Sequence, residues 1–136
     1  MAFEIKVRKT FSASHQLRHA SGGCERLHGH NWVCLVYVCG DTLDRNGLLV
    51  DFRDIQAALT GVIDELEHTH LNDLAPFRIL NPTAENLAKH VFEGVQKGLD
   101  ENRNNRARVS RVEIFETEDC SAAYFLPQEA ASGIAT

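Results

Sequence analysis

The chain has 136 residues, with 14 basic and 19 acidic side chains and a net charge of −5, a length that suits one domain. Its 43% hydrophobic and 24% charged residues exclude a disordered or fibrous chain, and no apolar run approaches the ~20 residues that cross a bilayer. The segment Met1 to Phe11 lacks the apolar stretch of a secretory signal, and without a basic balance or a Lys/Arg cluster direct nucleic-acid binding is disfavoured; the expectation is a cytoplasmic protein with no membrane partner. Phe3, Ile5 and Val7 alternate with Glu4, Lys6 and Arg8, the period of a half-buried strand that runs to about His15. Residues 18–27, with Ser21-Gly22-Gly23, read as a loop. A second strand spans about His30 to Gly40, followed by a turn at Asp44 to Gly47. Asp51 reads as a helix N-cap, with Asp54 placed for a near capping box. Phe52, Ile55, Leu59, Val62, Ile63 and Leu66 then keep helical spacing on one face. This helix is expected to fray near Glu67 to Leu71, and Pro76 marks the connection. Thr83 caps a second helix whose stripe is Ala84, Leu87, Val91, Val95 and Leu99. After a polar loop from Asp100 to Arg106 come two strands, Val109 to Glu116 and Ser121 to Leu126. The order ββααββ predicts an α+β fold, an antiparallel four-stranded sheet with two helices packed on one face. One domain is expected over residues 1–127, with a frayed tail over 128–136.

Neither a repeat nor a glycine-rich phosphate loop is present, so the chemistry must lie in the four cysteines, the seven histidines and their neighbours. Nothing points to an oxidising compartment. Cys34 and Cys39 sit in an apolar run, where cysteine behaves as a small hydrophobe, and Cys120 follows a turn-like Glu118-Asp119 without a motif. Cys24 differs, because it follows Gly22-Gly23 and precedes His28-Gly29-His30 by four residues. On extended backbone, residues i and i+2 share a face ~6.6 Å apart. Two imidazoles so placed can converge on one ion at ~2.0–2.1 Å from each nitrogen. His15 ends the first strand, and antiparallel pairing through the loop would return it beside the pair. Three imidazoles with a vacant fourth position describe a catalytic zinc site, whereas four protein ligands describe a structural one. Cys24 fits both: as a fourth ligand, or as a free thiolate whose pKa a nearby cation lowers below ~8.5.

His68 and His70 form a second i, i+2 pair beside Glu67 at the end of the first helix. A carboxylate next to an imidazole fixes its tautomer and suits acid/base work. Histidine at the negative end of a helix dipole is also favourable without any catalytic role. Glu116 shares strand parity with Val112 and Ile114, so its carboxylate needs a partner there. A ligand offering two parallel N–H groups would serve, as would an arginine. His19 and His90 belong to no motif.

Six segments, in order, resemble the 6-pyruvoyl-tetrahydropterin synthase superfamily, and most of all its bacterial 6-carboxy-5,6,7,8-tetrahydropterin synthase branch. They are Phe11-Ser-Ala-Ser-His15, Cys24-Glu-Arg-Leu-His28-Gly-His30-Asn31, Gly47-Leu-Leu-Val-Asp51-Phe52, Leu66-Glu-His68-Thr-His70-Leu-Asn72, Asn81-Pro-Thr-Ala-Glu85-Asn86-Leu87 and Val112-Glu-Ile-Phe-Glu116-Thr117. The short gap between Cys24 and His28 favours the carboxy-forming branch. The resemblance implies that His15, His28 and His30 hold Zn2+, that Cys24 removes a side-chain proton, and that His68 is an acid/base oriented by Glu67. It also implies that Glu116 anchors the pterin. The implied reaction converts 7,8-dihydroneopterin triphosphate to 6-carboxy-5,6,7,8-tetrahydropterin with release of acetaldehyde and triphosphate, a carbon–carbon lyase step toward queuosine. A pyruvoyl-forming or aldolase-like activity on a related pterin is the nearest alternative, and a non-catalytic zinc-stabilised module is a further one. The implied architecture is the tunnelling fold, assembled as a homohexamer of two stacked trimers. Glu67 departs from the aspartate usual at its position. Arg18, Arg26, Lys6 and Arg53 are candidate triphosphate contacts.

Overall fold

A computed structural model describes residues 2–102 and 106–127. The alternation of apolar and polar residues produces two long strands, β1 (Phe3–His15) and β2 (His28–Gly40), paired antiparallel along their whole length. Val7, Phe11, Ala13 and His15 on β1, with Trp32, Cys34, Val36 and Val38 on β2, point to one buried side. Helix α1 (Phe52–Leu66) starts at Asp51, whose carboxylate accepts from the Arg53 backbone N–H at 2.9 Å. The expected reciprocal pairing with Asp54 is replaced by one with Arg53, whose guanidinium also reaches Asp51 at 2.7 Å. Ile55, Leu59, Ile63 and Leu66 are buried as the spacing predicts, while Phe52 is half exposed. Side chains lean toward the preceding turn of their helix, and the first residue has none to cover.

Past α1 the chain turns back as a two-residue strand, β3 (Thr69–His70), parallel to β1 at Ala13 and Ser14. Two short 3-10 turns, Leu71–Asp73 and Ala75–Phe77, bury Leu71 and Phe77. Helix α2 (Ala84–Glu101) is capped by Thr83, whose hydroxyl accepts from Asn86 N–H at 3.1 Å. β4 (Ala107–Thr117) and β5 (Cys120–Phe125) complete a sheet of order β3-β1-β2-β4-β5. The four long strands are antiparallel as expected, and β3 adds a short parallel edge. Both helices lie on the buried side, so the α+β expectation holds. The tail predicted over 128–136 falls outside the described residues, as does part of the loop after α2.

The helices approach closely where α2 carries glycine. A Cβ on Gly98 would lie 2.8 Å from Ala58 Cβ, and one on Gly94 2.6 Å from a Val62 methyl. Gly61, on the outer side of α1, has nothing within 4 Å. Alanine is worth about 1 kcal/mol over glycine in a helix interior, while overpacking costs about 1–3 kcal/mol. Gly61→Ala is expected to raise stability by roughly 0.5–1 kcal/mol, and Gly98→Ala to lower it, because Ala58 has no rotamer with which to yield. Urea denaturation of the two variants checks the opposite signs.

Candidate active site

The pairing of β1 with β2 sets His15 directly opposite His28 and Ala13 opposite His30. All three histidines therefore fall on the helix-side parity at one end of the hairpin. Their ring centroids lie 4.6 Å (His15–His28), 4.7 Å (His28–His30) and 5.2 Å (His15–His30) apart. Trp32, fully buried two residues further along β2, packs edge-on against His15 at 4.9 Å and His30 at 5.2 Å.

Hydrogen bonding decides which nitrogens are available. His15 Nδ1 lies 2.8 Å from the Pro82 carbonyl, and His28 Nδ1 lies 2.7 Å from the Arg26 carbonyl. A carbonyl only accepts, so both Nδ1 atoms carry hydrogen, and in the neutral rings both Nε2 atoms are bare lone pairs. Those two Nε2 atoms face each other at 3.0 Å. Two lone pairs at that distance repel unless they share a cation or a proton. His30 Nε2 is buried with no aligned hydrogen bond, and its near neighbour is Glu116 Oε1 at 3.0 Å. Burial is the main influence lowering the His30 pKa, with Glu116 acting the other way, which favours the neutral ring a metal requires. Ligand atoms of His15, His28, His30 and Glu116 all lie within 4.8 Å of one another. Donors around one tetrahedral zinc would be spaced roughly 3.3 Å apart, so this set fits a small divalent ion. Carbonyl-anchored imidazoles are also the usual support for zinc.

A second group forms where α1 ends. Glu67 is its C-cap, and His68 adopts a left-handed backbone, φ 56°, that returns the chain to β1. Such a conformation in a non-glycine residue costs about 1–3 kcal/mol and tends to persist at functional sites. It is held because His68 N–H donates to Ser12 O at 2.7 Å. Glu67 Oε1 accepts from Ser12 N–H at 3.1 Å and lies 3.0 Å from His68 Nε2. The carboxylate–imidazole pair expected from the sequence is thus formed, with the His68 side chain 80% exposed. His70 does not join it, since its Nδ1 meets Ser14 Oγ at 2.9 Å. An open cleft of about 350 Å³ runs between Ser12, Ser14, Asn31, His68 and His30, with Gly29 on its lining.

Cys24 lies on the exposed tip joining β1 to β2, in a backbone bridge to Arg18. Gly22 and Gly23 supply the left-handed backbone of that tip, φ 94° and 81°. The thiol is not part of the cluster that could hold a metal, in which Glu116 is the fourth member among the described residues. Of the arginines considered for triphosphate, Arg53 is paired with Asp51, and Arg18 donates to the Phe77, Ile79 and Leu80 carbonyls.

The model of the family described as 6-pyruvoyl tetrahydropterin synthase matches residues 4–127. The chain belongs to the 6-pyruvoyl tetrahydropterin synthase family. Similar members include a 6-carboxy-5,6,7,8-tetrahydropterin synthase of Bacillus subtilis, 35% identical over 128 residues and covering 90% of this chain and 85% of that protein. Another of that name, from Synechocystis, is 33% identical over 88% of this chain and 90% of its own length. A dihydroneopterin monophosphate aldolase of Pyrococcus furiosus is 33% identical over 73% of this chain and 80% of its own. The 6-pyruvoyl tetrahydropterin synthase of Caenorhabditis elegans shares the fold, with a TM-score of 0.79 at 23% identity over 91% of this chain and 95% of that one.

In this family member, the side chains that shape the site without touching the metal group were not singled out by sequence reasoning. Asn72 accepts from Gln16 N–H at 2.9 Å and donates to Gln16 O at 2.7 Å. Asn81 does the same to Arg18, at 2.8 Å in both directions. Two side-chain amides thereby imitate a neighbouring strand and carry the ladder of β1 past His15. Adjacent Pro82 supplies the carbonyl that orients His15, and Thr83 caps α2, so a single turn serves the histidine cluster, the loop and the helix. The Asn81-Pro82-Thr83 motif was visible in the sequence, but amide-to-backbone pairing across more than 60 residues leaves no local periodicity. Asn81→Ala strands an N–H and a carbonyl of Arg18 and is expected to cost about 1–3 kcal/mol. Amide hydrogen exchange over residues 17–25 should rise in the variant; unchanged exchange would show that the loop is held elsewhere.

Proposed function

We propose that the chain is a zinc-dependent carbon–carbon lyase, a 6-carboxy-5,6,7,8-tetrahydropterin synthase acting on 7,8-dihydroneopterin triphosphate and releasing acetaldehyde and triphosphate. The observation that carries this reading is the convergence of His15, His28 and His30 with two Nε2 lone pairs 3.0 Å apart. The names of the Bacillus and Synechocystis relatives, at 35% and 33% identity, support the carboxy-forming branch. His15, His28 and His30 would hold Zn2+, which when bound supplies Lewis-acid polarisation of substrate hydroxyl and carbonyl oxygens.

The remaining roles belong to the protein's own groups. Cys24, exposed on its glycine-shaped tip, is the base for a side-chain proton. His68 carries a proton at Nε2, and Glu67, fixed by the Ser12 N–H, stabilises the charged ring. The extra methylene relative to aspartate is accommodated, since Glu67 Oε1 reaches both Ser12 N and His68 Nε2. Glu116, with its side chain 34% exposed, can accept from the N–H and amino groups of a pterin ring.

A homohexamer of two stacked trimers is part of this reading. The sheet face away from the helices carries Val33, Leu35, Tyr37 and Phe115, and Phe125 on β5 is 54% exposed. Among the described residues β3 and β5 are the outer strands of the sheet, edges that a second copy would cover. A cytoplasmic location in a pathway toward queuosine completes the proposal; among the described residues no helix is long and apolar enough to cross a membrane.

Incubation of the zinc-loaded protein with 7,8-dihydroneopterin triphosphate should yield acetaldehyde and a 6-carboxypterin product, identified by mass spectrometry. A pyruvoyl product or aldolase cleavage would move the chain to a sister activity, and absence of turnover would leave a binding module. Cys24→Ala and His68→Ala should each lower kcat by about 10²–10⁴ while zinc content, measured by atomic emission, stays at the wild-type level. Loss of zinc from Cys24→Ala would instead make Cys24 a ligand. Glu67→Gln should lower kcat and shift its pH profile; an unchanged profile would refute the orienting role.

A further inference from the structure

Residues 17–25 form a small hairpin beyond the end of β1, and its own bonds are too few to order it. Glu25 N–H donates to Leu17 O at 2.9 Å and His19 N–H to Gly23 O at 3.0 Å, which sets Arg18 directly opposite Cys24. Even a full two-stranded hairpin is marginal on its own in water, and this ladder is a single bridge. Gly22 and Gly23 take left-handed backbone at its tip, where an added Cβ would meet nothing within 4 Å. What fixes the hairpin must therefore come from outside it.

The two bonds flank the bridge, so the backbone groups of Arg18 itself point away from Cys24. They meet the Asn81 side chain, whose Oδ1 accepts from Arg18 N–H and whose Nδ2 donates to Arg18 O, both at 2.8 Å. The Arg18 side chain returns the contact. Its guanidinium donates to Phe77 O at 2.8 Å, Leu80 O at 3.3 Å and Ile79 O at 3.4 Å. Asn81 thus holds the backbone of Arg18, while Arg18 gathers the carbonyls of the segment that leads to Asn81. The clasp is rooted in the core, because the Phe77 ring is fully buried. Bonds from a charged donor are roughly twice as strong as neutral ones. With Nη1 and Nη2 both committed to protein carbonyls, this arginine is engaged by its own chain and not held out for a substrate phosphate.

We propose that Arg18 is a positioning residue: its guanidinium fixes segment 77–81, and through Asn81 and the backbone bridge it sets where Cys24 is held. Directly opposed residues of an antiparallel pair share a face, so a shift of the Arg18 backbone carries the Cys24 thiol with it. The clasp stands on the geometry alone; its catalytic consequence rests on the reading of Cys24 as a base given above. Displacing a reacting group by an ångström costs about a hundredfold in rate.

Arg18→Met keeps the backbone and an aliphatic stem and removes the donors. In this variant, hydrogen exchange at the bonded amides of His19, Gly22 and Glu25 should rise, while that of β1 stays at the wild-type level. With the zinc-loaded protein and 7,8-dihydroneopterin triphosphate, kcat should fall about ten- to a hundredfold with KM unchanged. Arg18→Lys retains a cation without the planar fork of donors. It should show both effects in weaker form, and it carries the test if Arg18→Met does not fold. Wild-type exchange in both variants would overturn the clasp. A raised KM with unchanged kcat would replace the positioning role with a phosphate contact. Faster exchange with kcat intact would break the link to Cys24. If wild type gave no turnover, or Cys24→Ala retained it, the functional reading would fall together with the kinetic consequence, and the exchange measurement would still decide the clasp.

Discussion

The register between β1 and β2 is the constraint on which the rest of the molecule depends. Thirteen residues of β1 face thirteen of β2 without interruption, from Phe3 opposite Gly40 to His15 opposite His28. A slip of one residue would send every side chain of one strand to the other face and would part His15 from His28 and His30. The register is pinned by what it buries. Phe11 and Trp32 sit directly opposite each other with rings stacked at 5.9 Å, and Trp32 Nε1 donates across the ladder to Ala13 O at 3.2 Å. Aromatic cross-strand pairs of this kind contribute about 0.2–1 kcal/mol relative to a pair of alanines. The same tryptophan then becomes the wall against which two of the metal-group histidines pack.

Burying an imidazole beneath such a wall carries its own requirement. His15 is the one polar or charged residue among the buried side chains described, and an unmatched ring nitrogen there would cost about 1–3 kcal/mol. The Pro82 carbonyl meets that need on the Nδ1 side. Proline has no N–H of its own, and its neighbour Thr83 begins α2. The position of α2 and the tautomer of His15 are therefore set by one short turn. His90, another histidine outside any motif, shows the contrast. It packs edge-on to Phe77 at 5.4 Å, and burial lowers its pKa, so it serves as a neutral packing residue between the helices and the 3-10 turns.

Local pattern made most of the framework readable. Alternation located the long strands, and the caps Asp51 and Thr83 marked both helix starts. His28-Gly29-His30 and His15 were legible because a strand period and an antiparallel return suffice to bring them together. A Cβ at Gly29 would meet Ala13 O at 3.7 Å, an ordinary contact, and its φ is not left-handed, so neither space nor backbone demands glycine there. The features that escaped are those with no period. β3 is two residues long, too short to alternate, and it follows His68 in a left-handed backbone that is uncommon outside glycine. The amide clamps of Asn72 and Asn81 reach across the fold to Gln16 and Arg18. Glu116 was recognised as a carboxylate in need of a partner, but which partner depends on the spacing of β2 and β4 and on a bulge. Strand parity alone could not place its oxygen beside His30.

Ser12 joins the two halves of the site. Its carbonyl accepts from His68 N–H, its N–H donates to Glu67 Oε1, and its hydroxyl donates to Asn31 Oδ1 at 2.7 Å. Each of these bonds fixes a different element to β1. The first sustains the left-handed turn, the second holds the Glu67 carboxylate that lies 3.0 Å from His68 Nε2, and the third ties the cleft wall to β2. The unfavourable backbone of His68 is thus stabilised by the edge of the same strand that ends in His15. Anchoring both groups to β1, one through His15 and the β2 pairing and the other through Ser12, ties their separation to that strand. A loop could drift by an ångström, enough to degrade a catalytic contact, whereas a thirteen-residue paired strand holds its spacing. The placement of the candidate site therefore comes from the strand, while Cys24 sits apart on the exposed loop that joins β1 to β2.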